Sequence, residues 1–324
     1  MPRHPPADIR ARSMAIVAVL LAVVMAFALP GATSAAAGPA SVPEPALLRA
    51  LLSEEAFPLV PFAPRTGPAT GGEGLTTAQR EELTTRIEAF SEEHRADFAI
   101  AVQDLRTGAT FSYHAHQRFP MASAAKLTIL TMLLLRAEEE GRELTAAERA
   151  QAAVMIRHSD NDVTNGLYAR MGFTEGFREG AETLGFTGTD PHPRGVWGAT
   201  TTTASDQVRL LRALYCDGSP LSEEDRAYVR GLMESVAPGQ VWGVSASADP
   251  ADTVGLKNGW VPRERNGGLW TVNSVGYVAG VEREYLIAVL SDGNPGYVAG
   301  VTLVEDLVST VTEAMEDPSD VLAH

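Results

Sequence analysis

The spacing of apolar residues divides the chain into strand-like and helix-like segments. Short or alternating apolar runs predict five strands, over residues 98–103, 109–114, 252–257, 270–278 and 284–290. Apolar positions three and four apart predict a helix before the first strand (77–94), a helix after the last one (298–315), and six more between residues 121 and 250. This order predicts an α+β fold, in which a five-stranded antiparallel sheet is flanked by the terminal helices and carries an inserted all-helical lobe.

The first part of the chain has the pattern of an exported protein. Three arginines precede an unbroken apolar run at residues 14–29, and small residues follow it. This pattern predicts a signal peptide over residues 1–37, and therefore secretion. The alternative is an uncleaved membrane anchor, although the apolar run is slightly short for a full span.

The composition changes again after the predicted signal peptide. A segment rich in proline, glycine and alanine predicts a linker. The elements that follow predict one domain made of two lobes, and then a short tail. The predicted boundaries are 38–74 for the linker, 75–316 for the domain, 75–120 and 251–316 for its sheet lobe, 121–250 for its helical lobe, and 317–324 for the tail.

The composition also excludes several classes of partner. The chain has 324 residues and a formal net charge of −15, so it repels nucleic acid and anionic membrane surfaces. Cys216 is the only cysteine in the sequence, which excludes an intrachain disulfide and a cysteine metal cluster. The histidines show no metal-ligand spacing, and we predict no metal site.

Lysine is rare in this chain. Of its 26 lysine and arginine residues, only Lys126 and Lys257 are lysines. Arginine stays protonated in proteins, whereas a buried lysine can lose its proton and act as a base. The two lysines therefore indicate positions that need an amine, unless they are the remainder of a bias towards arginine codons.

Lys126 lies three residues after Ser123, at the start of a predicted helix that continues almost entirely with apolar residues. Side chains three apart share one helix face, and a serine hydroxyl needs a neighbouring base to become a nucleophile. Burial of the helix would lower the pKa of Lys126 and favour the neutral amine. The helix start also offers backbone N–H groups to an oxyanion. On its own, this spacing is a weak signal.

Two further motifs follow in the chain. Ser159-Asp-Asn161 stands at a break between predicted helices, and Lys257-Asn-Gly259 stands on a predicted strand. Each has a purely structural interpretation, an N-cap with an Asx turn for the first and a strand-end turn for the second. However, Ser-x-x-Lys, Ser-Asp-Asn and Lys-Thr-Gly, in this order, are the signature of penicillin-recognising serine enzymes. The chain resembles that group, and is most similar to class A β-lactamases.

The resemblance implies a reaction and a set of partners. β-Lactams or D-alanyl-peptide-like amides would acylate a serine, and water would then hydrolyse the acyl-enzyme without a cofactor. Two alternatives stay open: a D,D-peptidase or other amide or ester hydrolase on the same scaffold, and a slow-deacylating or non-catalytic cell-wall or β-lactam binding protein. The expected partner is a small-molecule substrate, not a nucleic acid or a metal, and we expect a monomer.

The resemblance also implies a role for each motif residue. Ser123 resembles the acylated nucleophile, and Lys126 resembles its base or proton relay. Ser159 resembles the hydroxyl that passes a proton to the leaving nitrogen. Asn161 resembles the amide that holds the substrate and Lys126, and Lys257 resembles the cation that polarises Ser159 and attracts a substrate carboxylate.

The strand after Lys257 is also expected to bind substrate. Gly259 and Trp260 are predicted there, and a backbone N–H near Trp260 would form the oxyanion hole together with that of Ser123. Asn258 stands where the family has threonine or serine. Its amide is predicted to donate a hydrogen bond to a substrate carboxylate, with a geometry that differs from that of a hydroxyl.

The loop expected to hold a deacylating glutamate departs from the family. Residues 185–202 contain no glutamate, and their only acid is Asp190, which precedes Pro191. Aspartate is one methylene shorter than glutamate, and a proton relay through a bound water tolerates little displacement. Asp190 is therefore a candidate deacylating base, with an Asx turn before the proline as the alternative.

Overall fold

A central sheet organises the structure, a computed structural model that describes residues 75–281 and 283–317. The described residues contain seven strands: β1 (Asp97–Asp104), β2 (Thr110–Tyr113), β3 (Phe119–Pro120), β4 (Thr201–Thr202), β5 (Thr253–Arg263), β6 (Leu269–Ala279) and β7 (Glu284–Asn294). Five of them form an antiparallel sheet in the order β2-β1-β7-β6-β5. The predicted α+β fold class is confirmed.

Several predicted segments lie outside the described residues. They are the signal peptide at 1–37, the linker at 38–74 and residues 318–324 of the tail. Within the part of the chain that the structure describes, no helix combines the length and the apolar character needed to cross a membrane.

Side-chain caps start two helices of the helical region. Thr145 and Asp160 each accept a hydrogen bond from the backbone N–H three residues further on, at Glu148 and Val163. The described α-helices are α1 (Thr77–His94), α2 (Ala125–Glu139), α3 (Ala146–His158), α4 (Asn161–Met171), α5 (Phe173–Thr183), α6 (Ala204–Tyr215), α7 (Glu223–Met233) and α8 (Tyr297–Glu316).

Helices cover both faces of the sheet. Successive side chains of a strand point to opposite faces, so along β1 the residues Phe98, Ile100 and Val102 join the core under α1 and α8. Ala99 and Ala101 join the core on the side of the other helices. Because each face has its own covering layer, β6 and β7 are buried over most of their length.

Helix α2 is the buried centre of the helical region. Twelve of its 15 residues are buried, as the apolar run predicts. A 3₁₀ turn at Ala122–Ala124 precedes it, so the helix predicted from residue 123 begins with a tighter turn. Ser123 therefore lies just before the N-terminal end of α2, and Lys126 lies in the first turn of this helix.

Strand β5 is longer than the sequence predicts. It continues past residue 257 to Arg263, because β6 pairs with it along its whole length. Pro262 is tolerated there since β5 is an edge strand of the sheet.

A small second sheet lies beside the start of α2 and was not predicted. Strands β3 and β4 pair Phe119 with Thr202 and Pro120 with Thr201. The N–H of Met121 also donates to the carbonyl of Thr200 at 2.9 Å. These contacts tie the end of the loop at 185–202 to the segment that leads into Ser123.

Candidate active site

The turn that carries Ser123 is held tightly against strand β5. A Cβ atom on Gly259 would lie 2.6 Å from the carbonyl oxygen of Met121 and 2.9 Å from the nitrogen of Ser123. Glycine is therefore required at 259 for the strand to lie this close to the turn. The adjacent Ala122 has a positive φ of 48°, a conformation that costs energy for a residue with a side chain.

Asn273 of β6 holds the same turn from the sheet. Its Nδ2 donates to the carbonyl oxygens of Pro120 (2.8 Å) and Met121 (3.0 Å). Its Oδ1 accepts from the backbone N–H of Ser291 on β7. All the polar groups of this buried amide are thus used to position the backbone before Ser123.

Lys126 connects the turn before α2, the end of α3 and the start of α4. Its Nζ donates to Ser123 Oγ at 3.0 Å, to Asn161 Oδ1 at 2.7 Å, and to both the carbonyl oxygen (2.6 Å) and Oγ (3.1 Å) of Ser159. The side chain is fully buried. Burial lowers its pKa to about 8, against the smaller opposing effect of the Asp160 carboxylate. The neutral amine needed in a base is therefore accessible near neutral pH.

The junction between α3 and α4 explains how one serine makes two contacts with Lys126. Ser159 ends α3 in the left-handed conformation, with φ 57°, which turns its carbonyl and its hydroxyl to the same side. Asp160 provides the N-cap of α4. The motif thus serves both interpretations of the sequence: its central residue caps a helix, and its outer residues, Ser159 and Asn161, contact the lysine.

Lys257 approaches Ser159 from the sheet. Its Nζ donates to Ser159 Oγ at 3.1 Å, to the carbonyl oxygen of Asn258 at 2.9 Å and to Gln240 Oε1 at 3.4 Å. Burial lowers the pKa of this amine well below its ordinary value, and the nearby charge of Lys126 lowers it further. Two amines thus meet at one hydroxyl, and a proton on either of them favours an anion at the site.

Ser123 opens into a cleft of about 630 Å³. Asn161 and the half-buried Trp260 of β5 line it. Trp197 lines it as well, from the loop at residues 185–202, and we call this part of the cleft its loop side. The indole ring of Trp197 lies over Lys126, with its centroid 5.0 Å from Nζ. The cleft therefore has an aromatic residue on each side of the serine.

Two predicted site residues lie away from the cluster around Ser123 and Lys126. Asn258 is fully buried, and its Nδ2 donates to the carbonyl oxygens of Gln240 (2.8 Å) and Trp242 (3.1 Å). Its Oδ1 accepts from Ser274 Oγ at 2.7 Å. The alternation of β5 explains this, because Lys257 faces the helical region and its neighbour faces the other side of the sheet. A substrate carboxylate therefore does not meet this amide as predicted.

Asp190 is the second residue that lies elsewhere. Its carboxylate is exposed and 3.7 Å from Arg118, and it does not line the cleft. An antiparallel bridge between the backbones of Asp190 and Thr201 fixes this path of the loop. Within the described residues, no group of three or more histidine, cysteine, aspartate or glutamate side chains could hold a metal ion.

Sequence reasoning missed three contributors to the site: Trp197, Gln240 and Asn273. Asn273 carries a usable signal, because it is a polar residue in the middle of an apolar strand. The other two lie in 3₁₀ turns at Trp197–Ala199 and Pro238–Gln240. Such short turns have no periodicity to reveal which side chain points inward.

Solved structures share the fold over most of this chain. A mutant of PBP-A in an acyl-enzyme complex with penicillin-G matches with a TM-score of 0.64 at 18% identity, covering 74% of this chain and 97% of that one. A class A β-lactamase from Mycobacterium abscessus matches with a TM-score of 0.61 at 19% identity, covering 72% and 98%. Identities this low show a shared fold.

Sequence relatives lead to the family. "Putative lipoprotein LppW" of Mycobacterium tuberculosis is 32% identical over 221 residues, or 65% of this chain and 68% of that protein. A β-lactamase of Streptomyces cellulosae is 28% identical over 104 residues, 32% of this chain and 31% of its own. The model of the Beta-lactamase enzyme family matches residues 82–152 and 144–315. Because that match spans the sheet, the helical region and all three motifs, the chain belongs to the Beta-lactamase enzyme family.

Proposed function

We propose that Ser123 is acylated by β-lactams and D-alanyl-peptide-like amides, and that water hydrolyses the acyl-enzyme in a second step. The observation that carries this proposal is the set of contacts made by the buried Lys126 amine. It lies within hydrogen-bonding distance of both the Ser123 hydroxyl and the Ser159 hydroxyl. One group is thus placed to take a proton from the nucleophile and return it at the leaving-group side.

The geometry supports a complete proton path for acylation. Neutral Lys126 takes the proton of Ser123 as Oγ attacks the carbonyl carbon of the amide. Backbone N–H groups at Ser123 and near Trp260 stabilise the oxyanion. The C–N bond then breaks, Ser159 gives its proton to the departing nitrogen, and Lys126 returns a proton to Ser159. No proton is gained or lost over the step, and an ester on Ser123 results.

Lys257 acts on Ser159 in this proposal rather than on the nucleophile. Its Nζ donates to Ser159 Oγ, which orients the hydroxyl and favours its negative character after proton donation. A carboxylate on the substrate would stabilise the positive charge that Lys126 acquires when it takes the proton of Ser123. This property supports β-lactams and peptides with a free C-terminus as substrates.

We also propose export of the protein. The pattern of residues 1–37 supports it, and a relative named as a lipoprotein agrees with a location outside the cytoplasm.

A second candidate function is favoured by one observation. The indole of Trp197 lies over Lys126 and lines the cleft. The described residues that line the cleft include no carboxylate or imidazole to activate a water. A protein with this arrangement could hold its acyl group for a long time and serve as a receptor for β-lactams or cell-wall peptides.

The test uses the exported form of the chain, without residues 1–37, incubated with benzylpenicillin. Intact mass spectrometry should show one penicilloyl group on the wild type and none on Ser123→Ala. Ser112→Ala, an exposed serine on the edge strand β2, is the matched control and should be labelled like the wild type. Equal labelling of Ser123→Ala and the wild type would refute the assignment of the nucleophile.

A further inference from the structure

We propose that Trp197 covers Lys126 on the side from which a hydrolytic water would approach, and so makes the acyl-enzyme long-lived. This inference rests on the proposed acylation of Ser123. It assigns to one side chain the control of the second step of the reaction.

The hydrogen-bonding capacity of Lys126 is already used. A lysine ammonium has three N–H donors, and four oxygen atoms of Ser123, Ser159 and Asn161 lie between 2.6 and 3.1 Å from Nζ. The Trp197 ring also lies over this amine, with its centroid 5.0 Å from Nζ. The face of an indole stabilises a cation but offers a water molecule no strong hydrogen bond.

Trp197 is held in this position by the surrounding structure. Its Nε1 donates to Asn165 Oδ1 of helix α4 at 2.8 Å. The next residue, Gly198, lies against the backbone of Ala122, just before the nucleophile. The paired strands β3 and β4 fix the end of the same loop. The indole is therefore anchored on two sides of the cleft.

Hydrolysis of the acyl-enzyme needs a water beside a base. The water oxygen attacks the ester carbonyl carbon, one water proton passes to the base, the bond to Ser123 Oγ breaks, and Oγ regains a proton. Lys126, the amine in contact with Ser123, is fully buried. The Trp197 ring lies over it and lines the cleft, so the ring is placed to keep a water in the cleft away from this amine. The acyl group therefore outlasts acylation for a steric reason that one substitution can remove.

The experiment measures the formation and the decay of the penicilloyl adduct separately, by intact mass. After excess benzylpenicillin is removed, Trp197→Ala should lose the adduct about tenfold faster than the wild type. The rate of adduct formation is measured on the same variant, so that a change in decay is separated from any change in acylation. Trp197→Phe keeps a ring over Lys126 and should keep a long-lived adduct. Trp270→Phe, outside the cleft lining, controls for the loss of a tryptophan.

The pH dependence of decay separates this role from a structural one. In Trp197→Ala the decay should accelerate as pH rises towards about 8, because water then reaches an amine that is losing its proton at that pKa. A merely destabilised variant would instead show slower adduct formation and a lower melting temperature, with no such pH profile.

The outcomes distinguish this inference from the proposed function. Absence of an adduct on the wild type would overturn both. A wild-type adduct with an unchanged lifetime in Trp197→Ala would overturn only the role of Trp197. Should that variant fail to fold, Asn165→Ala removes the anchor of the indole and keeps its ring. It should shorten the lifetime, and an unchanged lifetime there would equally reject the inference.

Discussion

The two sides of the cleft are built from different chemistry. On the lysine side, Lys126, Ser159 and Asn161 lie at the ends of helices and Lys257 lies within β5, and these residues are joined by hydrogen bonds. On the loop side, the residues that line the cleft are mostly small or apolar, and the largest is Trp197. The contrast indicates that the groups for attack and proton transfer are assembled in the resting protein. Among the described residues that line the loop side, by comparison, none is a carboxylate or an imidazole that could activate water.

Among substitutions on the lysine side, the loss of the Lys126 amine should reduce the rate of adduct formation most. Lys126→Ala removes the base and the link between Ser123 and Ser159, so the rate of adduct formation should fall about 10³-fold. Stopped-flow or quenched labelling with a chromogenic β-lactam measures this rate. Arg178→Ala, an exposed cation on α5, is the control. A fall of less than tenfold in Lys126→Ala would mean that another group activates the serine.

A smaller loss should follow from moving the nucleophile without changing any polar group. Gly259→Ala places a methyl group against the backbone of Met121, Ser123 and Ala124. A displacement of about 1 Å can cost about 100-fold in rate, and we expect a loss of that size in adduct formation.

The matched glycine substitution is Gly166→Ala in helix α4. A Cβ there meets nothing within 4 Å, so thermal unfolding should show stabilisation by about 0.5–1 kcal/mol. If Gly259→Ala formed the adduct at the wild-type rate, the close contact between β5 and the turn would not be needed for acylation.

The pH dependence of acylation tests whether Lys126 acts as the neutral base. Its pKa is lowered to about 8, so the neutral fraction rises with pH and approaches its maximum above that value. The rate of adduct formation should rise about tenfold per pH unit below about 7 and level off above about 8. A rate that is constant between pH 6 and pH 9 would exclude this role.

The smallest effect is expected on the loop side. Asp190→Asn removes an exposed carboxylate that pairs with Arg118, and exposed pairs contribute little. Formation and decay of the adduct should both be unchanged. A slower decay would show that the loop moves Asp190 towards Ser123 during the reaction, and the contrast between the two sides would then be weaker than the resting structure indicates.

Much of the fold and the lysine side could be predicted from the sequence, because the signals are local. Apolar periodicity predicts the strands and helices, and the caps at Thr145 and Asp160 act within three residues of themselves. The pairing of Ser123 with Lys126 follows from the geometry of one helical turn. Ser159, Asn161 and Lys257 were predicted through the order of three motifs, a pattern that is also readable along the chain.

The loop side could not be predicted in the same way. Residues 185–202 have no regular period, so nothing local indicates that Trp197 points to Lys126 or that Asp190 points away. Their positions depend on pairing between β3 and β4, each two residues long. Such short strands leave no pattern in a sequence.

The sequence by itself determined the order of elements, the buried helix α2 and the residue types that can do acyl transfer. Only the tertiary structure decided which of those residues meet. Asn273 holds the turn before Ser123 through a hydrogen bond to Pro120, 153 positions earlier in the chain. The strand alternation of β5 turns Asn258 away from the cleft that Lys257 approaches. Contacts of this kind depend on how distant elements pack, and packing is a property of the folded chain as a whole.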